Sequence, residues 1–432
     1  MFVSECLDVN EAGHLTIGSA DTVELARTFG TPLYVYDEAT VRGALRQYND
    51  SIKKYYDGKG IVAYASKAFA CKEMYRIAND EGCGIDVVSP GELYTALSAG
   101  FPADKIFYHG NNKTVEELVY AVESNVARIV VDNLTELERL SEIAISQGKV
   151  MPISIRVKPG IDAHTHDFVR TGQIDSKFGF ALETGEALEA VRYILQHKGV
   201  VLKGLHCHIG SQIFDIAPFE LAAEVMISFM AQIKSQTGLI ITELNLGGGF
   251  GIKYVPENDP VPYMDYMEKV SKTVHNACSE KGVDIPFIAI EPGRSVVGPA
   301  CVTLYTVGGV KHIPNIRTYV SVDGGMTDNP RYILYGSKYD VVLANRAADP
   351  KDSVVTIAGR CCESGDLVGE GMPIQTPKVG DIIAVLATGA YNYSMASNYN
   401  RVPRAAAVMV RNGEAREIIR RESFEDLVKN DL

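Results

Sequence analysis

The sequence predicts an α/β fold, a (β/α)8 TIM-like barrel followed by a C-terminal all-β domain that also takes in the N-terminal segment. Three observations predict it. Short runs of β-branched and aromatic residues alternate with helical stretches eight times between residues 61 and 291. Reactive side chains fall just after those runs, where a barrel builds its active face. Beyond residue 292 short apolar runs continue without helices between them. An open doubly wound sheet is the competing arrangement. The gathering of unusual residues behind successive strands favours the barrel.

The strand candidates, in order, are IVAYAS (61–66), GIDVVS (84–89), KIFYHG (105–110), ARIVVD (127–132), PISIRV (152–157), LKGLHCHI (202–209), ITELNL (241–246) and PFIAIE (286–291). Helical patterns lie between them, at 90–100, 114–124, 134–146 and 262–281. Lys67, His109, Lys158, His206, His208, Gly247 to Gly249 and Glu291 to Arg294 all follow strands and define one rim. Later come CVTLYTVG, TYVSVDGG, SVVTIAG, DIIAVLATG and AAAVMVR, the signature of strands without crossover helices. Asn412-Gly413 marks a hairpin between VMVR and EAREII. Residues 1–30 are too short to fold alone and are expected to pair with this β domain. The expected division is a barrel over 31–285, and a β-sandwich or β-barrel-like domain made of 1–30 and 286–432.

The chain has 432 residues, too many for one ordinary core, so two domains are expected. Its net charge is -12, from 54 acids against 42 bases, and no basic block interrupts it. Nucleic acid and anionic membranes need a basic footprint, so neither is an expected partner. No apolar run reaches the length of a membrane span. The opening MFVSECLDVNEAGHL lacks the basic and apolar regions of a signal peptide. None of the eight cysteines forms a C-x-x-C pair. Free thiols in a reducing cytoplasm are the expectation.

Four segments carry candidate chemistry. Lys67 closes the first strand beside the small residues Ala65, Ser66, Ala68 and Ala70. A lysine there is ordinarily a solvated loop residue; desolvated behind an apolar strand, it has a lowered pKa and can form a Schiff base. Gly247-Gly248-Gly249-Phe250-Gly251 follows the seventh strand, where barrels hold phosphate and where glycine lets backbone N–H groups approach an anion. Glu291-Pro292-Gly293-Arg294 ends the eighth strand. Acid and base could simply pair with each other, but a carboxylate at the end of an apolar strand needs a partner, and a protonated ring nitrogen is one. Gly359 to Asp366 contains adjacent Cys361 and Cys362, either small buried residues or proton donors in a site. His206-Cys207-His208 and His164-Thr165-His166 lack an established ligand spacing, so no metal is expected. One histidine of each pair reads as structural.

In their order along the chain, GTPLYVYD (30–37), AYASKAF (63–69), DVVSPGEL (86–93), HIGSQ (208–212), GGGFG (247–251), EPGR (291–294), CCESGD (361–366) and GAYNYSMAS (389–397) resemble the group IV decarboxylases, the alanine-racemase-like fold. The resemblance covers nearly the whole chain. CESGD is similar to the diaminopimelate-decarboxylase branch; ornithine and arginine decarboxylases differ after the matching cysteine. The resemblance implies pyridoxal 5'-phosphate as cofactor, meso-2,6-diaminopimelate as substrate, and L-lysine and CO2 as products. It implies that Lys67 holds the cofactor as an aldimine and that His208 stacks on its ring. Ser211, Gly248, Gly249, Pro292, Gly293, Arg294 and Tyr391 would surround the cofactor and its phosphate, with Glu291 facing the ring nitrogen. Arg294, Arg331, Tyr335 and Tyr391 would hold substrate carboxylates. Glu363 would bind the distal amine and Cys362 would donate the proton. Cys362 and Glu363 would reach the site from a second subunit, in a homodimer.

The segment usually similar to RPALYG here reads Arg331-Tyr332-Ile333-Leu334-Tyr335-Gly336. Arginine and tyrosine keep their spacing, and the bulkier Tyr332 and Ile333 bear on the pocket's shape. The rival readings are an ornithine- or arginine-type decarboxylase, a racemase of the same fold and a non-catalytic binding homologue. Ornithine would leave Arg331 unpaired. A racemase of this type would carry arginine opposite the ring nitrogen, and a non-catalytic homologue would be expected to lose Lys67 or Cys362. The polar stretch 160–177 beside the rim is a candidate lid.

Overall fold

The computed structural model describes residues 2–161 and 175–432. The chain forms two compact units, one of residues 44–251 and 260–293, the other of residues 1–43, 252–259 and 294–432.

The first unit is a closed parallel barrel. Its strands are β1 (Gly60–Ala65), β2 (Gly84–Val87), β3 (Ile106–Tyr108), β4 (Arg128–Val131), β5 (Met151–Lys158), β6 (Val200–His206), β7 (Glu243–Asn245) and β8 (Phe287–Ile290). Each pairs in parallel with the next, and β8 returns to β1 through Ile288–Gly60, Ala289–Ile61 and Ile290–Val62. Parallel strands are covered on both faces, so they read as unbroken apolar runs, as in Val62–Ala65, all buried. The eight strands coincide with the eight predicted runs.

The helices start where the sequence marks them. Ser89 caps Pro90–Ser98 through the Glu92 amide, with proline in the first turn. Thr114 and Glu117 form a capping box on Val115–Glu123, and Asn133 caps Leu134–Ser146. Each buries one apolar stripe; on Leu134–Ser146 it is Leu137, Leu140 and Ala144. Fully burying one such leucine stabilises by about 1.5–3 kcal/mol.

The second unit is built on a nine-stranded sheet. Its spine is the strand Cys301–Ile313. The first half of that strand pairs with Leu33–Asp37 and Ile382–Leu386, the second half with Arg317–Val322. Asn412 and Gly413, with φ of 52° and 82°, make the predicted tight turn joining Ala406–Arg411 to Glu414–Ile419. Both expected domain boundaries shift. Residues 31–43 join the β unit, because Leu33–Asp37 is paired on both edges there, with Cys301–Leu304 and Ala406–Val410. Residues 286–293 stay with the barrel, because β8 closes it. Residues 7–21 form their own three-stranded meander rather than extending the large sheet; Leu15 and Ile17 nonetheless enter the same apolar core.

Among the described residues no helix is long and apolar enough to cross a membrane. Most of the candidate lid (162–174), with His164 and His166, lies outside the described residues.

Candidate active site

In the barrel unit the site is built from strand ends. Glu291 follows β8 and is buried. Asn245, the last residue of β7, donates its Nδ2 to Glu291 Oε1 at 2.6 Å. His206, the last residue of β6, places Nε2 3.1 Å from Glu291 Oε2. His109, just beyond β3, puts Nε2 2.8 Å from Glu291 Oε1, at ion-pair distance but off the hydrogen-bond line. Burial alone would push the Glu291 carboxyl up, but the facing His109 and His206 hold it well below the usual range. It is therefore an ionised carboxylate inside the barrel. The same three side chains offer ligand-type atoms within 4.8 Å of one another. Of these contacts only His206 Nε2 to Glu291 Oε2 is a hydrogen bond.

Lys67 sits in a 3-10 turn, Ser66–Ala68, directly after β1. Its neighbours Ser66 and Ala68 are buried, and Lys67 is exposed. This corrects the expected desolvation. Near three residues per turn, a 3-10 helix sends successive side chains in different directions, and Lys67 takes the outward one. His208 lies two residues past β6, half-buried, and accepts a 3.4 Å contact from the Gly248 amide at Nδ1. Burial first, then the charges of Lys67 and Arg156, hold His208 well below its ordinary value, so its ring is neutral. A neutral flat ring suits stacking. Ser211 is half-buried just beyond it.

Gly247 to Gly249 pass so close to neighbouring backbone that side chains are excluded. A Cβ at Gly248 would lie 2.1 Å from the Glu291 carbonyl, and one at Gly249 would lie 2.5 Å from the Gly210 carbonyl. Gly293 is equally confined, 2.9 Å from the Ala65 Cβ. Among the described residues the backbone N–H groups of Gly249 and Gly293 have no acceptor. Two unpaired amides on side-chain-free turns fit a phosphate. With the ionised Glu291, they make this unit fit pyridoxal phosphate.

The β unit carries a second cluster. The Arg294 guanidinium lies 4.8 Å from the ring centre of Tyr391, and its Nη1 donates to Tyr254 Oη at 2.5 Å. Arg331 lies 5.2 Å from the Tyr391 ring and 4.9 Å from that of Tyr335. Tyr391 is thus flanked by two buried guanidiniums, with its backbone in the left-handed region at φ 69°. Asn392 anchors that strained turn through Thr388 O at 3.0 Å and Tyr339 Oη at 3.2 Å. Among the described residues Arg331 Nε is buried without a hydrogen-bond partner, which fits a group that binds an anion. Arg331 and Tyr335 are four apart on a short helix and share a face. Tyr332 instead turns outward to Glu370 Oε2 at 2.7 Å, and Ile333 is exposed, so their bulk leaves the arginine's face alone.

Asp366 shapes the cysteine loop. It accepts from the amides of Cys361 and Met326 at 2.7 and 2.6 Å. Burial pushes the Cys361 thiol up to about 11, so it stays protonated. Cys362 and Glu363 are exposed; the Cys362 amide donates to Asn400 Oδ1 at 2.7 Å and Glu363 Oε1 accepts from the Gly365 amide at 3.2 Å. The roles of Asn245, Tyr254, Asp366 and Asn392 emerge only from the structure, as does that of His109 beyond its place on the rim. His109 and Asn245 share one readable signal, a polar side chain at the end of an apolar strand.

Residues 39–298 match the family model described as "Pyridoxal-dependent decarboxylase, pyridoxal binding domain". That match spans the barrel, with its buried carboxylate and its glycine turns. The chain is 48% identical to the diaminopimelate decarboxylase of Bacillus subtilis over 100% of this chain and 98% of that one. It is 49% identical to that of Bacillus methanolicus, with 98% of each covered. A solved diaminopimelate decarboxylase of M. jannaschii, in complex with L-lysine, superposes with a TM-score of 0.92 at 34% identity, covering 100% of this chain and 99% of that one. The chain belongs to the diaminopimelate decarboxylase family.

Proposed function

We propose that the chain is a pyridoxal-phosphate-dependent carboxy-lyase that converts meso-2,6-diaminopimelate to L-lysine and CO2, a step of lysine biosynthesis. The observation that carries this reading is Glu291, an ionised carboxylate buried at 7% exposure at the end of β8, held by Asn245 and His206 with His109 Nε2 2.8 Å away. When bound, pyridoxal phosphate supplies the electron sink that accepts the electrons of the broken C–C bond. Lys67 offers, from an exposed position, the amine that would hold the cofactor. Glu291 would keep the ring nitrogen protonated. His208 would lie against the ring as a neutral imidazole. The amides of Gly249 and Gly293, with Ser211, would receive the phosphate.

Arg331 and Arg294, with Tyr335 and Tyr391, grip carboxylate groups, as planar guanidiniums do through paired hydrogen bonds. Diaminopimelate has one carboxylate to keep and one to lose, so an arginine site for the retained one selects it over ornithine. Glu363 takes the distal ammonium, and Cys362 gives the proton that replaces CO2. Cys362 and Glu363 act on the partner's site in a homodimer. Their exposure on one chain supports that arrangement. A negative chain with free thiols fits the cytoplasm.

Replacing Lys67 with alanine tests the scheme: turnover should fall by at least about 1,000-fold, on the order of 4 kcal/mol of barrier. Near-normal turnover in the folded variant would contradict it.

A further inference from the structure

We propose that His206 and His109 are positioning residues for the cofactor, holding Glu291 ionised and aiming its last open lone pair at the ring nitrogen. The inference rests on reading the barrel unit as the pyridoxal phosphate site. A carboxylate offers about four acceptor positions. Oε1 of Glu291 faces Asn245 Nδ2 at 2.6 Å and His109 Nε2 at 2.8 Å. Among the described residues Oε2 faces only His206 Nε2, at 3.1 Å. His109 covers the other side of Oε1 by its closeness, off the hydrogen-bond line, so the approachable position is on Oε2, whose direction is set by His206.

The charge state of His206 matters as much as its place. An ionised Glu291 can only accept, so Nε2 carries the proton and donates it to the hydrogen bond. The Nδ1 of His206 is buried and has no partner among the described residues. A second proton there would bury an N–H without an acceptor, so the ring stays neutral. Burial lowers its pKa to about 4, which agrees. A neutral donor steadies the carboxylate without cancelling its charge. A protonated histidine in the same place would neutralise Glu291 and repel a protonated ring nitrogen. His109 meets His206 edge to face, with ring centres 4.7 Å apart, so the two rings pack against each other.

The test uses the full-length chain loaded with pyridoxal phosphate labelled with 15N in the ring. The ring nitrogen's chemical shift reports its protonation, and titration of the cofactor-free protein gives its affinity. Wild type and His206→Gln, which keeps a donor at a similar reach, should show a protonated nitrogen. His206→Leu should move the signal toward the unprotonated value and weaken cofactor binding at least about tenfold. A folded His206→Leu protein with both properties unchanged overturns the proposal. Where leucine prevents folding, His206→Asn decides. It is too short to reach Oε2, so wild-type values for it also overturn the proposal. An unprotonated nitrogen in wild type that still releases CO2 overturns this inference and leaves the decarboxylase reading intact. Failure of wild type to take up the cofactor overturns the reading beneath it.

Discussion

Glu291 and His206 meet across 85 positions of sequence, and the chemistry of each depends on the other. That dependence sets a pH response. Burial holds the folded His206 pKa at about 4, against 6.5 for an ordinary histidine. As pH falls, the unfolded chain takes up that proton first. The contribution of neutral His206 to stability is therefore whole above about pH 6.5 and is lost as pH falls toward 4. Over that window wild type should lose on the order of 3 kcal/mol relative to His206→Gln. Urea unfolding of both proteins at pH 7.5 and 4.5 checks this. The gap should narrow at the lower pH, and a constant gap would contradict the burial argument. At this scale the sequence was only partly legible. Lys67, Glu291 and Cys362 stand out as reactive groups behind apolar runs. The partners of Glu291 do not, because strand-end neighbours are set by barrel closure rather than by local spacing. The exposure of Lys67 also escaped the reading, since it depends on a three-residue turn after β1.

Elements were the most legible level. Continuous apolar runs and capped helices in alternation left little freedom for the eight barrel strands. Leu33–Asp37 lies in the β unit rather than the expected barrel, because an apolar pentapeptide does not say which sheet it will join. Residues 7–21 look like further strands of the large sheet, yet Gly18, with φ 54°, turns them back on themselves. The glycine turn after β7 yields a direct test. Gly248→Ala would place Cβ 2.1 Å from the Glu291 carbonyl. The turn must shift, costing about 1–3 kcal/mol of stability and weakening cofactor binding. Gly309, whose Cβ would meet nothing within 4 Å, is the control, and its alanine variant should stay within about 0.5 kcal/mol of wild type. Equal losses at both positions in thermal unfolding would remove the special status given to the turn after β7.

The whole molecule combines a barrel unit suited to the cofactor with a β unit that carries paired arginines and an exposed cysteine loop. If Cys362 serves the partner's site in a symmetric dimer, Lys67→Ala and Cys362→Ala subunits should complement each other. Mixed dimers would hold one intact site each, so an equal mixture should recover about a quarter of wild-type activity. No recovery after verified subunit exchange would return Cys362 to its own chain's site. The central claim is the reaction itself. It is tested most directly by incubating the protein and pyridoxal phosphate with meso-diaminopimelate, ornithine or arginine separately, then measuring CO2 and the amino-acid product. Lysine and CO2 from diaminopimelate alone are the predicted result. CO2 from ornithine or arginine instead, or from none of the three with cofactor bound, would contradict it.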